Sequence, residues 1–197
     1  GLAARGGREN QWNENHLHHQ LTPTHLIFNI KIHYNQLREA AAKGMDEFFQ
    51  VFIDAMRAQV GEELNAETMT QLTPEQITIW EYYILREEVM DGGFIQLIHN
   101  GYAPFFFQTP FAKAMRLWGL KDLCKLIYRA KDTYDALDDS SPLTAECSDE
   151  AFMALFEQYP MFGDLDYEFV EREEEFTAGI CQYIDEHIDA FAEIIAD

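Results

Sequence analysis

Apolar positions recur at intervals of three and four along most of this chain. Met45, Phe48, Phe49, Phe52, Met56 and Val60 form one such face and predict amphipathic helix within residues 34–60. Gly44 is placed to divide that stretch and Gly61 to stop it. Thr73-Pro74-Glu75-Gln76 then combines a capping residue, a proline suited to the first helical position and a glutamine three residues after the cap. The helix it starts should run to about residue 91. Its middle, from Ile77 to Leu85, is apolar nearly all round, as expected of a central buried helix. Gly92-Gly93 is the predicted stop, followed by a short helix over 94–100 closed by Gly101.

Tyr102-Ala103-Pro104-Phe105-Phe106-Phe107 reads as an aromatic loop, either a plug over the core or an exposed contact patch. Thr109-Pro110 repeats the cap-and-proline start, and its helix should reach Trp118 and stop at Gly119. Over 120–137, Leu120, Leu123, Ile127, Tyr134 and Leu137 make a core face, with Lys121, Lys125 and Arg129 on the other side. A loop covers 138–147. Ser148 then caps a helix whose first turn carries Asp149 and Glu150, where acids complement the dipole, and Pro160 ends it. Residues 164–197 predict one long helix, or two broken near Gly179, along the stripe Leu165, Phe169, Phe176, Ile180, Ile184, Ile188, Phe191 and Ile195. No strand alternation outweighs these patterns. The expected fold class is all-α: one multi-helix domain over 31–197 with a long acidic C-terminal helical segment. An irregular polar arm over 1–30 precedes it, with His16, His18, His19 and His25. Such a tract can bind metal, but its plainer reading is a polar tail.

Charge changes the picture. The chain of 197 residues carries a formal net charge of −21, yet 47% of its residues are hydrophobic, so it has material for a core. Residues 1–131 hold 15 acids and 13 bases, whereas 132–197 hold 20 acids and a single base, Arg172. Immediately before that acidic third come Lys113, Arg116, Lys121, Lys125, Arg129 and Lys131. Direct contact with nucleic acid or an anionic membrane is disfavoured by repulsion, and basic partners are favoured. Residues 164–197, taken as helix, would span about 50 Å with a net charge every 4–5 Å or so, approaching the density of one DNA strand. Like charges at such spacing weaken a helix, so they either serve recognition, form a solvated face, or dock on the Lys121/Lys125/Arg129 stripe.

Phosphate-loop, dinucleotide, nucleophile-elbow and zinc-protease motifs are all missing. Asp164-x-Asp166-x-Glu168 echoes a calcium loop, but Phe169 stands where glycine is needed and Arg172 at a ligand position. Cys124, Cys147 and Cys181 have no metal-ligand spacing. An odd number of them fits a reducing compartment. With no early apolar run of signal-peptide length, the expected location is the cytoplasm. No catalytic residue, cofactor or metal is assigned.

One stretch has a more specific character. Glu88-Val89-Met90-Asp91-Gly92-Gly93-Phe94-Ile95-Gln96 continues through Leu97-Ile98-His99-Asn100-Gly101. Pro110-Phe111-Ala112-Lys113-Ala114-Met115 and Trp118-Gly119 follow. Over about residues 40–197 the chain resembles the C-terminal domain of the bacterial DNA-mimic protein family first described in Neisseria. The resemblance implies an all-helical homodimer whose acidic surface imitates duplex phosphate. Its partner would be a basic DNA-binding protein, such as a helix-turn-helix regulator or a nucleoid protein, and binding would modulate transcription or DNA packaging. The candidate phosphate-mimicking residues are Asp164, Asp166, Glu168, Glu171, Glu174 and Glu175, then Asp185, Asp189 and Glu193. The GGF run is expected to serve the fold as a helix stop and close turn. A second reading is a cytoplasmic acidic adaptor or immunity-type protein that binds one basic partner unrelated to DNA. A third is an enzyme with a polar pocket at Gln96, His99 and Asn100.

Overall fold

The computed structural model describes residues 30–197. The His-rich stretch with His16, His18, His19 and His25 lies outside the described residues. Ten α-helices and one two-stranded sheet make up the described chain, so the fold is all-α apart from that sheet. Among these residues no helix is long and apolar enough to cross a membrane. The chain divides into two units. One comprises residues up to Trp80 together with Thr177–Asp197, and the other comprises Glu81–Phe176.

Among the described residues, the first unit holds strand β1 (Lys31–His33), then α1 (Tyr34–Lys43), α2 (Met45–Val60) and α3 (Ala66–Met69). Gly44 separates α1 from α2 at φ 150° and Gly61 follows α2 at φ 122°, as the glycine pattern predicts. Helix α4 (Pro74–His99) starts with the expected reciprocal cap. The Thr73 N–H donates to Gln76 Oε1 at 2.9 Å, and the Gln76 N–H donates to Thr73 Oγ1 at 3.2 Å. The same glutamine donates its Nε2 to the Phe191 carbonyl at 2.8 Å, so one cap also fixes the chain end.

That chain end differs from the predicted helix. Helix α10 (Gly163–Glu186) runs unbroken past Gly179 but stops at Glu186. A 3₁₀ turn (Ile188–Ala190) and strand β2 (Glu193–Ile195) follow. β2 pairs parallel with β1, Ile32 opposite Ile194, and both side chains are buried. Each strand has three residues, too few for alternation to stand out against a 3.6-residue stripe. A parallel pair also needs a long crossover, which here is most of the chain.

The second unit holds the remainder of α4, α5 (Ala103–Phe107), α6 (Phe111–Leu117), α7 (Lys121–Asp135), α8 (Ser141–Thr144), α9 (Asp149–Gln158) and the first part of α10. The aromatic stretch is a short helix rather than a loop, and of the two readings it is the plug. Phe106 and Phe107 are buried. Phe106 meets Phe111 edge-on at 5.1 Å between centroids, and Phe107 meets Tyr134 at 5.5 Å. Ser148 caps α9 as expected, accepting from the Ala151 N–H at 3.2 Å.

One buried acid sits in this unit. Glu81 on α4 is 5% exposed and hydrogen-bonded to Thr109. Burial pushes its carboxyl up to about 8, against the opposing pull of that bond. The folded chain therefore holds a proton here that the unfolded chain releases near 4.5. Stability should fall as pH rises from about 4.5 to about 8 and level off above. Glu81→Gln is expected to flatten that slope and to raise stability at pH 9 by roughly 1–3 kcal/mol, with little change at pH 5. Urea unfolding of both chains across that range is the check.

Candidate functional site

The acidic stretch is organised by two local devices in the second unit. The first is a break in α4. Gly92 (φ −145°, ψ 20°) and Gly93 (φ 70°, ψ −173°) leave the helical conformation, so the helix resumes at Phe94 in a new direction. A restarted helix exposes backbone N–H groups without partners. Asp166 on α10 supplies one, its Oδ1 accepting the Phe94 N–H at 2.8 Å. A carboxylate from another helix thus acts as the N-cap. The turn needs glycine for a second reason: a Cβ on Gly93 would lie 2.3 Å from Asp166 Oδ2. Burial pushes the Asp166 carboxyl up to about 6, and the Phe94 bond opposes that rise. Asp166 is therefore mostly anionic at neutral pH but turned toward α4.

The second device is Arg172. Its Nε and Nη2 grip the Glu175 carboxylate at 3.0 and 2.8 Å, and Nη2 also reaches Asp122 Oδ2 on α7 at 2.8 Å. Its guanidinium carbon lies 5.2 Å from the centre of the Phe176 ring. The hydrogen bond to Arg172 holds Glu175 below the usual carboxylate range. Nearby, Arg129 on α7 pairs with Glu168. Lys121 and Lys125 of the same basic stripe stay exposed, so the acidic helix engages the stripe through Arg129 and not along its length. Arg172→Ala should destabilise the chain by about 1–2 kcal/mol, less at high salt, because two carboxylates on two helices, Glu175 and Asp122, lose their nearest counter-charge and the Phe176 ring loses its cation. Thermal unfolding at low and high salt measures both parts.

These contacts sort the predicted acids. Asp164, Glu171 and Glu174 are exposed on the outward face of α10. Glu175 is exposed yet gripped by Arg172. Glu168 is half-buried beside Arg129, and Asp166 is committed to the kink. The other three belong to the first unit. Asp185 is buried at 4% exposure, Asp189 lies half-buried on the 3₁₀ turn, and Glu193 is half-buried on β2. The helix, with 24 residues, is about 36 Å long rather than about 50 Å. From Asp164 to Glu174 the open row covers about 15 Å with three carboxylates, sparser than a phosphate strand.

The structure adds two acids that the sequence reading passed over. Arg86 Nη1 on α4 lies 3.9 Å from Glu173 Oε1, and Phe94 is held by Asp166, so within the second unit these stretches of α4 and α10 are antiparallel. Glu87 and Asp91 are exposed on this same stretch of α4. Only the pairing of the two helices reveals this.

Gln96, His99 and Asn100, the suggested pocket, are occupied in holding the turn together. Gln96 Nε2 donates to Glu88 Oε2 and to Asp91 Oδ2, both at 3.0 Å, and Asn100 Nδ2 donates to Glu88 Oε2 at 2.8 Å. His99 Nδ1 lies 2.8 Å from the Leu143 carbonyl, and its ring packs on Phe152 at 4.9 Å. Among the described residues no group of three His, Cys, Asp or Glu is arranged to hold a metal ion.

The model of a protein family described as DMP19-like protein matches residues 70–187, more than half of the chain. The chain belongs to the DMP19-like family. The matched span contains the Gly92-Gly93 kink, its Asp166 cap, the Arg172 clamp and the open row, but not Asp189 or Glu193. A relative from Neisseria meningitidis serogroup B (strain ATCC BAA-335 / MC58), named DNA mimic protein DMP19, is 28% identical over 137 residues. That alignment covers 70% of this chain and 80% of the relative.

Proposed function

We propose that this chain is a mimic of double-stranded DNA that occupies the DNA-binding face of a basic protein, a helix-turn-helix regulator or a nucleoid protein. It would thereby modulate transcription or DNA packaging in the bacterial cytoplasm, acting as a homodimer. One observation carries this reading. Asp164, Glu171 and Glu174 point outward along one helix while the neighbouring arginines Arg129 and Arg172 are engaged with Glu168, Glu175 and Asp122. The open carboxylates are thus left for Lys and Arg side chains that otherwise contact phosphate. Family membership and the relative's name support the same reading.

Capture from a bacterial lysate on the immobilised chain at low salt tests it. Elution is compared between duplex DNA and a non-nucleic polyanion of equal charge. Preferential release of a DNA-binding protein by the duplex is expected. Equal release of one basic protein by both would favour an adaptor unrelated to DNA.

A further inference from the structure

The acidic face is not purely acidic. Met90 on α4 and Tyr167 and Val170 on α10 are 44%, 67% and 45% exposed. Tyr167 and Val170 are three residues apart and share a side of the helix. The contacts Arg86–Glu173 and Phe94–Asp166 bracket Met90 on α4 and Val170 on α10, so the antiparallel register sets these two across from each other. Glu87 and Asp91 are exposed on α4 beside this seam, Glu174 follows Val170 by one turn on α10, and Asp164 and Glu171 are exposed on the same helix. Single exposed apolar residues need no explanation, but an adjoining set rimmed by charge marks an interaction surface.

We propose that this seam docks a basic amphipathic helix, with Lys or Arg flanking a narrow apolar stripe. The inference rests on the mimicry reading for the charge of the partner and adds what phosphate does not supply, an apolar grip. Charge complementarity chooses the occupant. A second copy laid on the seam would set carboxylates against carboxylates, and an anionic membrane would be repelled in the same way. A helix delivers apolar side chains at i, i+3 and i+7 with charged neighbours on both sides, matching apolar side chains set among exposed acids of two helices. Tyrosine and methionine are also side chains that interfaces favour. Because apolar contact is not screened by salt, the bound partner should survive salt that strips it from DNA.

The probes are two fluorescent helical peptides with identical Lys/Arg content, one with leucines along its stripe and one with glutamines there. The full chain is expected to bind the leucine peptide at least about tenfold more tightly, with the gap persisting at high salt. The variant Met90→Gln/Tyr167→Ser/Val170→Ser should lose that gap while binding the glutamine peptide unchanged. Circular dichroism verifies its fold, and Tyr167→Phe should keep the gap. Equal binding of both peptides, or a gap that survives the triple variant, overturns the seam and leaves the charge reading standing. Failure to bind either peptide overturns the seam as well. A gap that persists while Asp164→Asn/Glu171→Gln/Glu174→Gln weakens neither peptide would sink the charge reading instead. If the apolar variant changes sedimentation of the chain alone, a second copy covers the seam and the proposal fails.

Discussion

Neutralising Asp164, Glu171 and Glu174 together, as Asn and Gln, is expected to weaken capture of the basic partner by about 100-fold at low salt, near 2.7 kcal/mol. These three carboxylates face outward on α10, and of them only Asp164, in the first turn, contributes to the fold by complementing the helix dipole. Stability should change by only a few tenths of a kcal/mol, because the relief of repulsion between Glu171 and Glu174 at i,i+3 offsets that loss. The salt dependence of binding should flatten in parallel, since the screened part of the attraction has been removed. Asp166→Asn is the matched control. The amide oxygen still accepts the Phe94 N–H, and the lost charge is one already turned toward α4. Its capture should lie within about threefold of the unaltered chain. Isothermal titration against the captured partner, with urea unfolding alongside, separates the two effects.

Gly93→Ala is expected to have the largest effect on the fold, about 3 kcal/mol of lost stability. Two costs combine at this position. Its φ of 70° strains any residue with a Cβ, and that Cβ would meet Asp166 Oδ2 at 2.3 Å. Asp166 can retreat only by releasing the Phe94 N–H, which then loses its partner at the start of the second leg of α4. Gly101→Ala isolates the strain. At φ 86° with nothing within 4 Å of a built Cβ, it should cost about 1 kcal/mol. Equal losses at the two glycines would mean that the Asp166 contact contributes nothing. Urea midpoints of both variants decide the matter.

The helices were legible wherever an apolar stripe ran for several turns between clear caps. Gly44, Gly61, the Thr73–Gln76 box and the Ser148 cap all act as their residue types predict. The C-terminal stripe misled because Ile188, Phe191 and Ile195 keep a helical spacing across a 3₁₀ turn and a strand. Tertiary packing buries Ile188 and Phe191, and on β2, whose pairing with β1 lies on the far side of the sequence, the buried residue is Ile194 and not Ile195. The acidic site was legible as composition and only partly as geometry. Sequence marks Asp166 and Glu171 as equivalent acids on one helix. The fold turns one inward to cap a kink and leaves the other open. Glu87, Asp91 and the seam at Met90 were hidden because they depend on which helix lies beside α10. Short-range periodicity carries no information about that.

The central claim is that this chain and duplex DNA compete for one face of the same protein. The most direct test is fluorescence anisotropy of a labelled duplex bound to the captured partner as the chain is added. Mimicry predicts complete release of the duplex with one saturating stoichiometry. Asp164→Asn/Glu171→Gln/Glu174→Gln should release it only at about 100-fold higher concentration. A ternary complex, in which the chain binds and the duplex stays, would contradict the claim.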